Sequence, residues 1–403
     1  MKRVMILGAG LYQVPLIETA KRMGLETVVV SVPGPYKGFS IADRSYYVDT
    51  RDREQILEIA HSEQISGICT TGTDVAVRSV GYVCEKMGLN GISLAAADVL
   101  CDKALMKEAF LKGGVSCASG GRAFTAEQVK EIAEQIGYPV VVKRVDSSGS
   151  RGITVVYSES ELEDAYQYAC RKTTQDYVVV ERFLKGTEIG VDGFIRNGRV
   201  VFCAPHAKFL YRGQKTTVPM GHGFPLVCSR QLEEDIVNQM QLAADATGAD
   251  NCCFNADVMT DGDRAFLIEM GGRCGATCIP ELISTYYGID YYEAMLTEAM
   301  GSAADFSGQV QRRPCMAKLL CSPKEGIVTD IDEELLDEIR KENVRITIDP
   351  EVGGHVFAMS DGTDRIGSVL LETQSENELD DICQRVRSAI RIDGRRLSEL
   401  WKG

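Results

Sequence analysis

The 403-residue sequence has no run of about 18 apolar residues, the length that a membrane-spanning helix requires. Its amino terminus has a basic start but only a short apolar run before Gly8, which does not fit a secretory signal. A net charge of −14 argues against nucleic acid as the main partner, because phosphate backbones need a basic surface. We therefore expect a cytoplasmic protein with no membrane and no nucleic-acid partner.

Paired cysteine motifs are also missing. The sequence has 14 cysteines but no Cys-x-x-Cys spacing, and the closest sets are Cys252 with Cys253 and Cys274 with Cys278. In a long chain without a secretion signal, scattered cysteines within apolar runs are typical of reduced, buried thiols. We expect neither a disulfide framework nor a zinc site.

The first 95 residues alternate between short apolar segments and helical patterns. We predict strands at 4–7, 27–32, 46–48 and 67–70, separated by helices at 12–23, 53–62 and 74–87. This alternation predicts an α/β fold with a Rossmann-like, parallel, doubly wound sheet. NAD binding is the weaker interpretation, because position 13 is Gln13 rather than the third glycine of a dinucleotide motif.

The pattern changes after residue 95, and a chain of this length favours two or three domains. Helices are predicted near 102–111, 126–136 and 159–169, with strands near 139–143, 153–156 and 177–181, followed by strand hairpins up to about 263. Helices near 333–341 and 376–390 belong to a smaller α+β module. We predict domains at 1–95, 96–311 and 312–403, the central one of α+β type and the last a small α+β lobe.

A predicted strand ends in Lys143 and leads into a polar, glycine-rich loop. The loop consists of small residues and one arginine: Ser147, Ser148, Gly149, Ser150, Arg151 and Gly152. A lysine followed by backbone amides without bulky side chains suits the binding of a polyphosphate. It is not a Walker P-loop, because a strand rather than a helix follows. A solvated hairpin turn is the equally acceptable alternative.

A second predicted strand ends in Glu181, and Glu188 follows seven residues later. This arrangement fits a nucleoside: Glu181 can accept from an exocyclic amine, and Glu188 can bind ribose hydroxyls. Main-chain groups of the intervening residues can read the adenine edge, namely those of Arg182, Phe183 and Leu184. Surface salt bridges of the two glutamates are the alternative.

A third pattern places Asp257 and Glu269 on two predicted strands joined by a turn at 261–262. Two carboxylates that meet need a cation to neutralise them, and hard oxygen ligands favour Mg²⁺ or Mn²⁺. Arg273 then offers a forked donor for a carboxylate or a transferring phosphoryl group. The alternative is two unrelated acids at strand ends.

A positively charged, glycine-flanked segment lies between these motifs in the sequence. It contains Lys208, Lys215 and His222, and it could cover an anionic substrate. His222 could act as a general base toward an attacking ammonium, on the expectation of a pKa near neutrality. An exposed hairpin with scattered charge is the alternative.

The order of these motifs resembles the ATP-grasp superfamily, from residue 1 to about 289. The resembling residues are Lys103, Lys143 with its loop, Glu181, Glu188, Asp257, Glu269 and Arg273. The resemblance implies that Lys103 and Lys143 bind phosphates and that residues 147–152 close over the β- and γ-phosphates. It also implies that Glu181 and Glu188 bind adenine and ribose, that Asp257 and Glu269 bind Mg²⁺ or Mn²⁺, and that Arg273 stabilises an acyl-phosphate.

One departure from the family pattern concerns the metal. Many relatives carry an asparagine ligand two residues after the metal-binding glutamate, and this sequence has Gly271 there. Glu269 then bridges two ions alone, water replaces the missing ligand, or only one ion is held tightly. The sequence leaves these three possibilities open.

The resemblance implies an ATP-dependent carboxylate–amine ligase of the amino-acid ligase type. Its first domain resembles that of the purine-pathway carboxylases and biotin carboxylase, and residues 96–311 form the ATP-grasp domain with the nucleotide and metal sites. A small acid would be activated as an acyl-phosphate and attacked by an amine, releasing ADP and phosphate. The alternatives are a carboxylase that uses bicarbonate and a non-catalytic nucleotide-binding protein. The partners expected are small molecules and a second copy of the chain in a homodimer.

Overall fold

The structure is a computed structural model, and it describes residues 2–144, 152–171, 175–212, 217–308, 312–360 and 364–401. The first hundred residues alternate strands and helices: β1 (Arg3–Leu7), α1 (Val14–Arg22), β2 (Glu26–Ser31), α2 (Lys37–Ile41), β3 (Arg44–Tyr47), α3 (Arg53–Glu63), β4 (Gly67–Cys69), α4 (Val77–Met87) and α5 (Leu94–Leu100). No helix among the described residues is long and apolar enough to cross a membrane.

The next stretch is richer in strands. It comprises α6 (Lys103–Lys112), β5 (Gly120–Ala123), α7 (Ala126–Ile136), β6 (Val140–Lys143), β7 (Ile153–Val156), α8 (Leu162–Cys170), β8 (Val178–Arg182), β9 (Thr187–Arg196), β10 (Arg199–Arg212), β11 (Thr217–Phe224), α9 (Arg230–Thr247), β12 (Cys252–Asp261) and β13 (Arg264–Gly271).

The remainder is again mixed. It comprises α10 (Ile279–Tyr287), α11 (Tyr291–Ala299), β14 (Cys315–Cys321), β15 (Gly326–Ile331), α12 (Glu333–Arg340), β16 (Arg345–Ile348), β17 (His355–Val356), β18 (Arg365–Leu371), α13 (Glu376–Ala389), β19 (Ile390–Ile392), β20 (Arg395–Arg396) and α14 (Leu397–Leu400).

The chain forms two compact units. The first consists of Met1–Pro205, Cys228–Ala276 and Asp290–Ser307, and the second of His206–Val227, Thr277–Ile289 and Gly308–Gly403. The prediction of three domains with boundaries near 95 and 311 remains a proposal.

The first unit begins with a parallel sheet of strand order β3-β2-β1-β4. Its central strand β1 is buried on both faces, and Met5 lies opposite Val28 on one side and Ile68 on the other. Such near-continuous apolar strands are typical of parallel sheets covered by helices. The predicted α/β class with a Rossmann-like first sheet is confirmed.

A second sheet of the first unit, antiparallel in order β5-β8-β6-β7, carries two of the predicted site residues at strand ends. Val140 and Val142 of β6 and Val178 and Val180 of β8 point into a core shared with α7 and α8. The strands therefore have fixed faces, and a one-residue slip in register would expose this core.

A third sheet of the first unit is antiparallel, in order β13-β12-β9, and continues into the first part of β10. Asp257 of β12 lies opposite Glu269 of β13 and Gly190 of β9. The sequence predicted only hairpins up to residue 263, and it missed the 18-residue helix α9 that precedes β12. Ser229 caps this helix by accepting from Leu232 N at 3.1 Å, a clear N-terminal signal.

The second unit is built on antiparallel strands, from the second part of β10 through β11, β14 and β18 to β16. Its core lies under α12 and α13 and includes Leu320, Val328, Leu336, Leu379 and Val386. The predicted helices near 333–341 and 376–390 correspond to α12 and α13.

Candidate active site

Polar side chains of β9, β12 and β13 share one face of the antiparallel sheet. We call this set the polar strand face: Glu188, Asp192, Asn255, Asp257 and Glu269. Side chains alternate along a strand, and directly opposed residues point to the same side. The opposite side is apolar and fully buried at Ala256 and Val258. The strand period therefore brings the two predicted metal ligands, Asp257 and Glu269, next to each other.

Lys103 supplies a positive charge to this face. It is the first residue of α6, and its Nζ lies 2.7 Å from Glu269 Oε2. Burial favours the neutral amine, but the Glu269 carboxylate, together with Glu181 and Asp257, raises the pKa of Lys103. Lys103 is therefore an ammonium at neutral pH.

Glu181, the fourth residue of β8, is the centre of a second ionic cluster. Its side chain is buried, with Lys143 Nζ 2.7 Å from Oε2 and Lys107 Nζ 3.0 Å from Oε1. Burial alone would raise the pKa of Glu181, but Lys143 and Lys107 outweigh it, so that the pKa is lowered. Burial lowers the pKa of Lys143, and the ammoniums of Lys103 and Lys107 add to this, although Glu181 opposes them.

Lys107 was missed by the sequence analysis. It lies one helical turn after Lys103 on α6, is buried, and donates to Ala118 O at 2.7 Å. The available signal was the spacing of four residues, which places both lysines on one helix face. A helix-surface lysine has the same spacing, so the pattern alone does not distinguish the two.

Arg273 is held on several sides. Its Nε and Nη2 each lie 2.8 Å from a carboxylate oxygen of Asp74, and its Nη1 donates to Asn255 Oδ1 at 2.7 Å. Asn255 in turn donates to Asp192 Oδ2 at 2.8 Å, and Gly275 N donates to Asp192 Oδ1 at 2.7 Å. Burial would lower the pKa of Arg273, but the Asp74 carboxylate outweighs it and raises the pKa.

Comparisons with known proteins agree with this geometry. Residues 102–193 match the family described as carbamoyl-phosphate synthase L chain, ATP binding domain. The structure superposes on phosphoribosylglycinamide synthetase from Anaerococcus prevotii with a TM-score of 0.81 and 28% identity, covering 97% of this chain and 99% of that one. The predicted resemblance to the ATP-grasp superfamily is confirmed.

Two relatives of this chain are named as ligases. Alanine–anticapsin ligase of Bacillus subtilis is 26% identical over 272 residues, which cover 60% of this chain and 56% of that protein. D-alanine–D-alanine ligase of Geobacter sulfurreducens is 27% identical over 249 residues, covering 60% of this chain and 78% of that protein. Both names agree with the prediction of an ATP-dependent ligase that forms a carbon–nitrogen bond.

The ATP-grasp assignment groups several predicted nucleotide residues in one unit. Lys103, Lys143, Glu181 and Glu188 all lie within the matched residues 102–193. Glu188 of β9 lies opposite Met259 of β12, on the same face as Asp257. The specific roles predicted for these side chains remain proposals.

The predicted nucleotide residues that follow β8 and β6 differ in exposure, and some of them lie outside the described residues. Arg182 is exposed, whereas Phe183 and Leu184 are half-buried, and Phe183 N donates to Pro139 O at 3.0 Å. Gly152 is buried, has a φ of +72°, and accepts from Arg144 N at 3.2 Å. The predicted phosphate-loop residues Ser147, Ser148, Gly149 and Ser150 lie outside the described residues.

The predicted substrate segment belongs to the second unit. Lys208 lies opposite His222 in the pairing of β10 with β11, and Lys215 lies outside the described residues. The His222 ring is buried and packs edge-on against His206 at 4.7 Å between centroids. Burial, followed by the positive charge of His206 and Lys208, lowers the pKa of His222 well below its ordinary value. The expectation of a near-neutral pKa was therefore wrong, and the ring is neutral near pH 7.

The ATP-grasp site fits a magnesium ion. Asp257 and Glu269 are adjacent oxygen donors on one face, and the contact of Glu269 with the Lys103 ammonium shows that a cation is accepted there. Among the described residues, no group of three or more His, Cys, Asp or Glu side chains forms a complete metal cage. Mg²⁺ does not need one, because it is usually held by one or two carboxylates together with substrate phosphates.

Proposed function

We propose that this chain is an ATP-dependent carboxylate–amine ligase that activates a small carboxylic or amino acid as an acyl-phosphate. The observation that carries the proposal is the pairing of two lysines with two acids, Lys103 with Glu269 and Lys143 with Glu181. This arrangement sets Lys103 beside the proposed metal ligand Glu269, which adjoins Asp257, and sets Lys143 beside Glu181, the acid proposed to bind adenine. It is suited to hold and neutralise a transferring phosphoryl group.

In the proposed reaction, a carboxylate oxygen of the substrate attacks the γ-phosphorus, and the bond to the β-phosphate oxygen breaks to release ADP. An amine nitrogen then attacks the acyl carbon, inorganic phosphate leaves, and the nitrogen loses a proton. Lys103 and Lys143 hold the phosphates, while Arg273 faces the charge that develops on the acyl-phosphate. Asp257 and Glu269 would hold Mg²⁺ or Mn²⁺, which neutralises phosphate charge when bound.

The chemistry needs no nucleophile from the protein. Burial raises the pKa of Cys69 and Cys252 to about 12, so these thiols are protonated and poorly reactive at neutral pH. Catalysis then rests on positioning and on charge neutralisation. The substrates in this proposal are small molecules, and assembly into a homodimer is a separate proposal that light scattering tests.

The proposal is tested by isotope transfer. The protein is incubated with Mg²⁺-ATP and a panel of amino acids and small acids labelled with oxygen-18 in the carboxylate. We expect one label oxygen in inorganic phosphate and, when hydroxylamine is added, a hydroxamate. Label transfer from bicarbonate alone would favour a carboxylase, and nucleotide binding without turnover on any acid would favour a non-catalytic protein.

The metal assignment is tested with Glu269→Gln, which keeps the side-chain shape and removes the charge. We expect the turnover number to fall by roughly 100-fold or more, because a group that neutralises charge in the transition state is lost. Asp261→Asn is the matched control, since Asp261 lies at the exposed end of β12. Unchanged turnover in Glu269→Gln would overturn the metal assignment.

A further inference from the structure

Gly271 lies at a place where a side chain would collide with Asp74. A Cβ atom built on Gly271 would be 2.8 Å from Asp74 Oδ1, closer than the 3.0 Å that real Cβ atoms respect. Gly271 does not have a positive φ, so the backbone does not require glycine at this position. A side chain at residue 271 would therefore meet the carboxylate of Asp74.

Asp74 comes from the loop between β4 and α4, 199 residues away from Arg273 in sequence. Its Oδ2 accepts from Nη2 of Arg273 at 2.8 Å, and its Oδ1 lies 2.8 Å from Nε as an ion-pair contact, so both carboxylate oxygens lie beside the guanidinium. Nη1 of Arg273 donates to Asn255 Oδ1 at 2.7 Å and to Cys274 O at 3.2 Å. The guanidinium is thus oriented before any substrate arrives.

Asn255, Gly271 and Asp74 share the space around Arg273. Asn255 lies opposite Gly271 in the pairing of β12 with β13, on the polar strand face. A side chain at residue 271 would emerge on this face, where it would compete with Asp74 for the space beside Arg273. The distances from the built Cβ to Arg273 Cζ and Nε, 3.5 and 3.7 Å, leave the guanidinium itself undisturbed. The conflict therefore concerns Asp74 alone.

We propose that Asp74 is a positioning residue that orients Arg273 for the reaction, and that residue 271 is glycine in order to admit the Asp74 carboxylate. This inference rests on the proposed function, because it assigns Arg273 to the acyl-phosphate. In this role Asp74 acts through the guanidinium of Arg273. The glycine at residue 271 leaves room for Asp74, and Asp74 holds the guanidinium of Arg273 in place.

The test is a double-mutant cycle of Gly271→Ala and Asp74→Ala. We expect each single variant to lower the turnover number by roughly 10- to 100-fold, because small displacements of a charge-stabilising group are costly. The double variant is expected to match Asp74→Ala alone, since the added methyl no longer meets a carboxylate. The dissociation constant for Mg²⁺-ADP should change by less than about threefold in all three.

Gly272→Ala provides the matched control. A Cβ at Gly272 would meet Ile92 Cδ1 at 2.7 Å and Leu100 Cδ1 at 3.1 Å, which are apolar contacts independent of Asp74. The cost of Gly272→Ala should therefore be the same with and without Asp74→Ala. Asp74→Ser also removes the group that the added methyl would meet, and it replaces Asp74→Ala if that variant does not fold.

A second measurement separates this inference from the proposed function. Labelling with an arginine-specific dicarbonyl reagent, followed by peptide mass spectrometry, should modify Arg273 faster in Asp74→Asn and in Gly271→Ala than in the unaltered protein. Faster labelling with no turnover on any acid would overturn the ligase proposal and leave the positioning of Arg273 standing. Unchanged labelling, or additive effects of Gly271→Ala and Asp74→Ala in an active ligase, would overturn the inference.

Discussion

Glu181 shows how a single residue can be read in two ways. The sequence places it at the end of an apolar strand, which suits a hydrogen bond to adenine. The structure adds that both of its oxygens face buried ammoniums, those of Lys107 and Lys143. A buried carboxylate between two cations is held in its ionised form. If Glu181 binds adenine as proposed, it offers an acceptor whose position the two lysines fix.

A pH dependence of stability follows for Glu181. Its folded pKa is lowered from the ordinary value of 4.5, so the native state binds a proton less readily than the unfolded state. The stability that this group contributes is fully present above pH 4.5 and is lost as the pH falls through the lower, folded value. We expect the difference in unfolding free energy between the unaltered protein and Glu181→Gln to shrink as the pH falls below 4.5.

Urea denaturation monitored by circular dichroism between pH 3 and pH 7 measures this difference. Glu342→Gln is the control, because Glu342 pairs with Arg385 on the exposed surface of the second unit. Surface ion pairs contribute little, so its difference should be small at every pH. A difference for Glu181→Gln that stays constant across this range would contradict the assignment.

At the scale of elements, α6 carries Lys103 and Lys107 and so contributes an ammonium to each of the two ionic clusters, at Glu269 and at Glu181. Asp102 caps this helix by accepting from Ala104 N and Leu105 N, both at 2.9 Å, and its other oxygen accepts from Tyr177 OH at 2.8 Å. The cap therefore fixes the start of the helix, where Lys103 is the first residue. It also links α6 to the residue that precedes β8.

Removal of this cap should affect both stability and nucleotide binding. Asp102→Ala is expected to lower the unfolding free energy by about 1–2 kcal/mol, the usual cost of a lost N-cap. It should also weaken the binding of ADP, measured by calorimetry, because the first turn of α6 that carries Lys103 is no longer held in place. Asp332→Ala, which removes the cap of α12 in the second unit, should lower stability but leave ADP binding unchanged. Equal ADP affinity in both variants would show that the cap does not position Lys103.

The sequence predicts those elements whose signals are local. Strand–helix alternation predicted the parallel sheet of the first hundred residues, and two strands joined by a turn at 261–262 predicted that Asp257 and Glu269 lie close together. Two features were out of reach: Lys107, whose spacing equals that of a surface lysine, and the pairing of Asp74 with Arg273. The second joins residues 199 positions apart, and only the folded backbone brings them together.

At the scale of the whole molecule, the protein is strongly acidic, with a net charge of −14, yet it is proposed to bind a polyphosphate. In the structure the cations of the site are paired with its acids, Lys103 with Glu269 and Lys143 with Glu181. A phosphate that binds Lys103 must compete with Glu269, and a metal that binds Glu269 must compete with Lys103. When both ligands bind together, the phosphate pairs with Lys103 and the metal pairs with Glu269, so neither residue is left without an opposite charge.

This exchange predicts that nucleotide and metal bind with positive coupling. Couplings between ligands are typically about 5- to 150-fold in affinity, and by linkage they act equally in both directions. Ligands that bind only the native state raise the melting temperature, and the stabilisation grows with the logarithm of the ligand concentration divided by Kd. We expect Mg²⁺ with ADP to raise the melting temperature by more than the sum of the two separate shifts.

The variant Lys103→Met isolates the protein's share of this coupling from the formation of Mg²⁺-ADP in solution, which is the same for every variant. Without the competing ammonium, Mg²⁺ alone should stabilise Lys103→Met more than the unaltered protein, whereas ADP alone should stabilise it less. Lys112→Met, at the exposed end of the same helix, should behave like the unaltered protein. If the excess shift were equal in all three proteins, coupling would arise in solution, and the pairing of Lys103 with Glu269 would play no part in ligand binding.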